Sequence, residues 1–292
     1  MTLDLTDARD ATVGATRVRR ALPTKGRRTV GAWCFADHMG PASVTETHGL
    51  DIGPHPHIGL QTVTWLVAGE VLHRDSLGTE QVIAPGQLNL MTAGRGVAHS
   101  EEATGAYRGP LHGIQLWVAQ PDATRHGAPA FEHHADLPRV ELAGATATVL
   151  VGTFDAVTSP ARHDTDLVGV DLSVHDATAL QLRADFEHAL VVLDGAVAVG
   201  DRLVEPGRLA YLAPGVDELG LSVRETARVM LLGGIPFGAR PVMWWNFVAR
   251  SHEEIDAAYE SWRSDDGRFG RVASPLARIE TPPPWWHDTP TT

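Results

Sequence analysis

Short apolar runs separated by Gly and Pro turns dominate the first 121 residues of the chain. VGAWCFADHMGPASV (30–44) reads as a buried strand followed by a loop. The loop 48–59 carries Pro54 and Pro56 on either side of His55, so it is extended and cannot begin a helix. LQTVTWLVAG (60–69) is a Val-, Thr- and Trp-rich strand closed by Gly69, and EVLHRDSLG (70–78) is a second strand ending in a turn. Pro85-Gly86 marks a tight turn before the strand QLNLM, and Gly94 and Gly96 a turn before the strand of Val97, His99 and Glu101. LHGIQLWVAQP (111–121) is one more strand, stopped by Pro121. Strands this short, with turns at such intervals, predict an all-β sandwich or barrel.

The second half repeats the first. After a loop-like stretch over 122–145, strands resume at 147–154, 166–175 and 180–184. The block 188–215 has a strand ending at Gly195, a hairpin, Pro206-Gly207, a strand and a Pro-Gly turn, in the order of Gly69, Pro85-Gly86, strand and turn in the first half. The step of 14 residues from Pro85 to His99 lands on Gly220 when taken from Pro206. The repeat thus keeps the scaffold without the histidines. The expected division is an N-terminal unit over 1–135 and a C-terminal unit over 136–292, the latter with a closing strand at 227–238, a helix and a Pro-rich tail. The helix is SHEEIDAAYESWRS (251–264): Ser251 and Glu254 fit a capping box, and Ile255, Ala258, Tyr259 and Trp262 share one face. Residues 1–28, ending in a basic cluster, read as a solvated leader with one early strand.

Composition narrows the function. A net charge of −12 argues against a nucleic-acid surface, and a single cysteine, Cys34, excludes intramolecular disulfides and CxxC zinc sites. No apolar run reaches the ~20 residues a membrane span needs, and the N-terminus shows no secretory signal. The expected compartment is the cytoplasm.

Candidate chemistry lies between 55 and 101. His55 and His57 alternate on extended chain, and 42 positions after His57 come His99 and, two residues on, Glu101. Residues two apart on a strand share a face, so each pair can aim two side chains at one point. Three imidazoles and a carboxylate converging on a β scaffold suit one divalent first-row metal: imidazole serves iron, nickel, copper and zinc, and the carboxylate favours iron and manganese. The alternative is two strand pairs facing solvent, which the apolar neighbours IGLQTVTWL and GVAH weaken.

HPHIGLQTVTWLVAGEVLHRDSLG (55–78), PGQLNLMTAGRGVAHSEE (85–102) and GIQLWV (113–118) together resemble the N-terminal signature of the pirin family, a bicupin branch of the cupin superfamily. PFG (236–238) and HEEI (252–255) resemble its C-terminal region less specifically. The resemblance implies two stacked, jelly-roll-like cupin β-barrels with one metal site in the first, ligated by His55, His57, His99 and Glu101. The implied metal is iron(II), with manganese, nickel, cobalt, copper or zinc as alternatives. One activity it implies is that of quercetin 2,3-dioxygenase: a flavonol cleaved with dioxygen and carbon monoxide released. The chemistry of that reaction makes Glu101 the catalytic base for the 3-hydroxyl proton once it swings off the metal. Other pirins act as non-catalytic regulators that bind a transcription factor or a metabolic enzyme, which implies a metal-dependent protein partner. A cupin enzyme with another substrate is the third class.

Other residues carry blander expectations. Gln61 is either a support for a ligand imidazole or a backbone-satisfied strand residue. His73 and Asp75 read as a structural pair, and His112 as a residue outside the cavity. His133 and His134 read as solvated, Arg95 as a turn arginine, and Cys34 as buried. Trp244, Trp245, Trp285 and Trp286 are expected to pack between the two halves.

Overall fold

The computed structural model describes residues 2–14, 16–45 and 49–288; His48, at the start of the predicted 48–59 loop, lies outside them. Strands dominate the described residues, with one α-helix, His252–Ser264, near the end. Among these residues no helix is long and apolar enough to cross a membrane.

The first barrel is built from two sheets. The larger has the strand order Ala130–His134, Leu88–Thr92, Leu60–Ala68, Gly109–Ala119, Trp33–Val44, Thr16–Leu22, Arg9–Val13. The smaller has the order Ile52–His57, Val97–Glu102, Val71–Asp75, Glu80–Ile83. The second barrel has a larger sheet ordered Leu3–Asp7, Arg208–Leu212, Glu187–Asp194, Ala227–Gly234, Leu167–Val174, Ala145–Phe154, Arg139–Leu142. Two short two-stranded sheets, Thr178–Gln181 with Glu218–Leu221 and Val197–Val199 with Arg202–Val204, accompany it.

Alternation along the strands divides the burial. Val63, Trp65, Ile114, Leu116 and Val118 from the first large sheet share a core with Ala189, Val191, Leu193, Met230 and Leu232 from the second. The two large sheets therefore meet back to back through apolar side chains. The neighbouring residues Gln115 and Trp117 point the other way and line the cavity of the first barrel. In the second barrel the same inward positions hold Leu190, Val192, Val229 and Leu231, an apolar filling. Trp33 ties the halves together: its Nε1 donates to the carbonyls of Val168 (3.1 Å) and Gly233 (3.2 Å).

Several elements depart from the sequence reading. The 122–145 stretch is not all loop, since Ala130–His134 and Arg139–Leu142 are strands at sheet edges. Edge strands bury little, so their apolar periodicity is weak. The leader holds not one strand but three, Leu3–Asp7, Arg9–Val13 and Thr16–Leu22, and the first pairs with Arg208–Leu212 in the second sheet. Part of its basic cluster is structural: Arg20 grips Asp37 through two bonds of 2.7 Å, and Arg27 stacks 3.1 Å from the Tyr211 ring centroid.

The helix matches its predicted face, with Ile255, Ala258, Tyr259 and Trp262 buried and Ser251 capping it by accepting from the Glu254 amide. It packs not on the second barrel but with Ile58, Ala98 and Phe247, over the histidine-bearing sheet of the first. Trp244, Trp245 and Trp286 pack against this same cluster rather than between the halves, and Trp285 is 67% exposed. Two glycines bracketing the histidines permit this approach. A Cβ on Gly53 would lie 2.1 Å from the Ala277 carbonyl oxygen, and one on Gly59 (φ +66°) 2.1 Å from that of Val248.

Candidate metal centre

Antiparallel pairing of Ile52–His57 with Val97–Glu102 sets His99 opposite His55 and Val97 opposite His57. The three imidazoles, all buried, each offer a ring nitrogen within 4.8 Å of the others. Pro54 and Pro56 keep the first strand extended, so His55 and His57 stay on one face.

The outer nitrogens of the rings are engaged. His55 Nδ1 lies 2.9 Å from the Gly53 carbonyl and His57 Nδ1 3.0 Å from the Asn246 carbonyl, so each donates there. His99 Nδ1 lies 3.3 Å from His73 Nδ1, and His73 Nε2 lies 3.1 Å from Asp75 Oδ2. Asp75 Oδ1 in turn accepts from the amides of Leu77 (2.9 Å) and Thr79 (3.0 Å). A chain of donors thus runs from His99 through His73 to a fixed carboxylate, and leaves the His99 Nε2 lone pair free. His57 Nε2 and His99 Nε2 then face each other at 3.0 Å with no proton assigned between them. Two lone pairs so placed repel unless a cation sits near both. Cis nitrogens at about 2.1 Å from one ion are themselves about 3 Å apart, so this donor set fits a single metal.

Electrostatics agree with that fit. Burial pushes the His55 imidazole down to about 4, against the raising effect of its bond to Gly53, and drives His57 and His99 well below the usual histidine range. All three rings are therefore neutral, which is the form that binds metal. Burial pushes the Glu101 carboxyl up, against the opposing pull of His73 and of the Thr64 hydroxyl, which donates to Oε1 at 3.4 Å.

A cavity of about 470 Å³ opens above the histidines, within the size range of small-molecule sites. Glu101 and Gln115 supply polar lining. Phe35 and Trp117 form one wall, stacked at 4.0 Å and 13°, and Trp117 meets the His57 ring edge-on at 5.2 Å. The C-terminal segment supplies the opposite rim with Met243, Trp244, Trp245, Asn246 and Ile279. Trp245 holds a left-handed φ of +52° there, a conformation costly for a bulky residue.

The predicted ligand residues His55, His57 and His99 come together as one cluster, and Glu101 lines the same cavity without being part of that group of close donors. His73 and Asp75 are structural, but what they orient is His99. Gln61 supports no ligand ring; its amide donates to Thr92 Oγ1 at 3.1 Å. His112 lies away from the cavity, its Nε2 2.8 Å from that of His38. Arg95 is a turn residue, its amide bonded to the Gly127 carbonyl. His133 is not solvated: it sits half-buried on an edge strand, with Nδ1 2.7 Å from Asn89 Oδ1. His134 is likewise half-buried and contacts Glu132 at 3.0 Å. Cys34 is fully buried, and burial pushes its thiol up to about 12, so it is inert. Sequence reasoning missed the rim from 243–246 and Ile279, as well as the carbonyl of Asn246. The only local trace is the Gly53 and Gly59 pair that lets the tail approach.

Fold and site together define a bicupin whose first barrel carries a cluster of three histidines suited to one metal ion. The family model Pirin matches residues 15–118 and the Pirin C-terminal cupin domain matches 167–270, so the chain belongs to the pirin family. It is 51% identical over 276 residues to a Pseudomonas aeruginosa protein named "putative quercetin 2,3-dioxygenase", covering 93% of this chain and 87% of that one. It is 38% identical over 266 residues to a pirin-like protein of Caulobacter vibrioides, covering 88% of this chain and 92% of that one. A crystal structure titled quercetin 2,3-dioxygenase from Acinetobacter baumannii superposes with a TM-score of 0.93 at 43% identity, covering 96% of this chain and 95% of that one.

Proposed function

We propose that this chain is a metal-dependent dioxygenase of the quercetin 2,3-dioxygenase type, holding iron(II) on His55, His57 and His99 with Glu101 as the fourth ligand. The observation that carries the reading is the convergence of three neutral imidazoles at the base of a cavity walled by a stacked Phe35–Trp117 pair. The quercetin dioxygenase names of the 51% and 43% identical proteins support it.

When bound, the ion supplies Lewis acidity toward the 3-hydroxyl and 4-carbonyl oxygens of a flavonol and a redox partner for dioxygen. The protein does the rest. The Phe35–Trp117 stack offers an apolar wall to the fused rings, and Trp244 and Trp245 at the rim limit entry of water. Once it swings off the metal, Glu101 is the base for the 3-hydroxyl proton: burial raises its carboxyl, which improves the match to a phenolic proton. Thr64 holds one carboxylate oxygen and leaves the other to act. His73 and Asp75 hold His99 in the tautomer that keeps its Nε2 lone pair free.

Aerobic incubation of metal-loaded protein with quercetin tests the reading. The flavonol absorbance is expected to bleach with release of carbon monoxide. Absence of turnover with iron, manganese, nickel, cobalt and copper alike would contradict it, and so would full activity in a His57→Ala variant.

A further inference from the structure

The cavity above the histidines carries a row of polar residues that the histidine centre does not use. Strand register sets Arg9 opposite Arg20, Arg20 opposite Asp37, and Asp37 opposite Gln115. Residues directly opposite on neighbouring strands share a face. All four residues line the cavity that also holds His55, His57 and His99. The row ends on the edge strand Arg9–Val13.

Charge does not balance along it. Asp37 is 2% exposed and accepts from both Nε and Nη2 of Arg20 at 2.7 Å, so its carboxylate is committed to that guanidinium. The same guanidinium lies 4.4 Å from the Phe35 ring centroid, which fixes its plane. Arg9 is left over. It is exposed, and among the described residues it makes no hydrogen bond and no ion pair; Asp37 feels it only through its charge. Like charges directly opposite on neighbouring strands destabilise a sheet. Carboxylates are not scarce in this chain, which has 36 Asp and Glu against 24 Lys and Arg. Two arginines sharing one carboxylate at the opening of a cavity are balanced when an anion enters.

The remaining lining sets the kind of anion. Glu101, the other carboxylate of the cavity, is buried with the histidines at its base and accepts from Thr64. The walls include the Phe35–Trp117 stack and the apolar side chains of Val18, Met39 and Ile52. A ligand of this cavity therefore combines aromatic bulk with an oxyanion at the Arg9 mouth. Arginine forks present paired N–H donors to such groups, and one surplus cation matches a single negative charge.

We propose that the substrate of this cavity is an aromatic compound carrying a singly charged oxyanion, a carboxylate or a sulfate ester, bound by Arg9 with Arg20 beside it. As a statement about substrate class it rests on the dioxygenase reading: the oxygens that meet the ion lie at one end of the substrate and the anion at the other.

The test is fluorine NMR titration of the full chain loaded with zinc(II), which is diamagnetic, using 4-fluorobenzoate, 4-fluorobenzenesulfonate and the neutral 4-fluorobenzamide. The better of the two anions is expected to bind at least about tenfold more tightly than the amide, the scale of a charge-assisted bond, and to lose most of that advantage in Arg9→Gln. A tighter benzoate identifies a carboxylate and a tighter sulfonate a sulfate ester; either order supports the site. No saturable binding of either anion overturns the proposal. So does an advantage that survives in Arg9→Gln, because the anion then sits on the metal. Should Arg9→Gln lose its cooperative thermal unfolding, Arg9→Met decides by the same criterion. These titrations need neither oxygen nor turnover. Protein that fails to turn over quercetin yet prefers the anions through Arg9 contradicts the dioxygenase reading alone, and active protein without that preference contradicts the anion site alone.

Discussion

His57 Nε2 and His99 Nε2 face each other across 3.0 Å, though 42 positions separate the two residues in the chain. Each ring is held from behind, His57 by the Asn246 carbonyl and His99 by His73. The pair is therefore pre-organised before any ion arrives, and the tail of the chain takes part in organising it.

His73 orients His99 without lining the cavity. Replacing it with Phe, or Asp75 with Asn, is expected to weaken metal affinity about 10- to 100-fold, the usual cost of losing a partner behind a ligand. Competition against a chromophoric chelator measures this. Unchanged affinity in both variants would show that the His99–His73–Asp75 chain plays no part in tuning the centre.

Metal removal is expected to lower thermal stability, because the ion binds the folded chain and not the unfolded one. With free metal at ~1,000 times its dissociation constant the gain is about 4 kcal/mol. Scanning calorimetry with and without chelator reads the shift, and the His57→Ala protein is expected to show almost none.

The wall of the cavity is expected to act on substrate rather than on metal. Trp117→Leu removes the stacked partner of Phe35, and such pairs contribute about 0.5–1.5 kcal/mol beyond burial. The expected result is a KM for quercetin raised up to about tenfold with metal content unchanged. Loss of metal with KM preserved would assign Trp117 to the centre instead.

Gly59→Ala is expected to destabilise the protein by about 2–3 kcal/mol. A left-handed φ of +66° and the Val248 carbonyl both oppose a Cβ at this position. Denaturant unfolding gives the loss, and limited proteolysis within 240–288 should accelerate as the tail releases. Retention of full stability would mean the tail shifts without cost.

Acid is expected to destabilise the protein through histidines outside the centre. Burial pushes His38 down to about 3 and His188 down to about 4, whereas in the unfolded chain both titrate near ~6.5. Between these values the unfolded chain carries protons that the folded chain refuses. Stability is therefore full above ~6.5 and falls as pH drops below it, by up to about 1.4 kcal/mol per pH unit for each histidine. Urea midpoints at descending pH measure the slope, and the slope should be shallower in His188→Leu. An identical slope in that variant would contradict the assignment.

The strands of the first barrel were legible because they are central and buried on both faces. LQTVTWLVAG and LHGIQLWVAQP carry their apolar content in full view, and the HxH and HxE alternation shows directly which side chains share a face. The edge strands Ala130–His134 and Arg9–Val13 were not legible, since half-buried segments carry little periodicity. The helix was recognisable from its cap and apolar stripe, but its docking site was not. Nothing local in SHEEIDAAYESWRS says that its buried face meets Ile58 and Ala98, far upstream in the first half of the chain. For the same reason the Asn246 carbonyl behind His57 and the tryptophans at the rim emerge only from the fold.

Elemental analysis of purified protein, paired across wild type and His99→Ala, tests the central claim most directly. The account predicts about one first-row metal ion per wild-type chain and essentially none in the variant. Equal metal content in the two proteins, or no metal retained by wild type after reconstitution with iron, manganese, nickel, cobalt, copper or zinc, would contradict it.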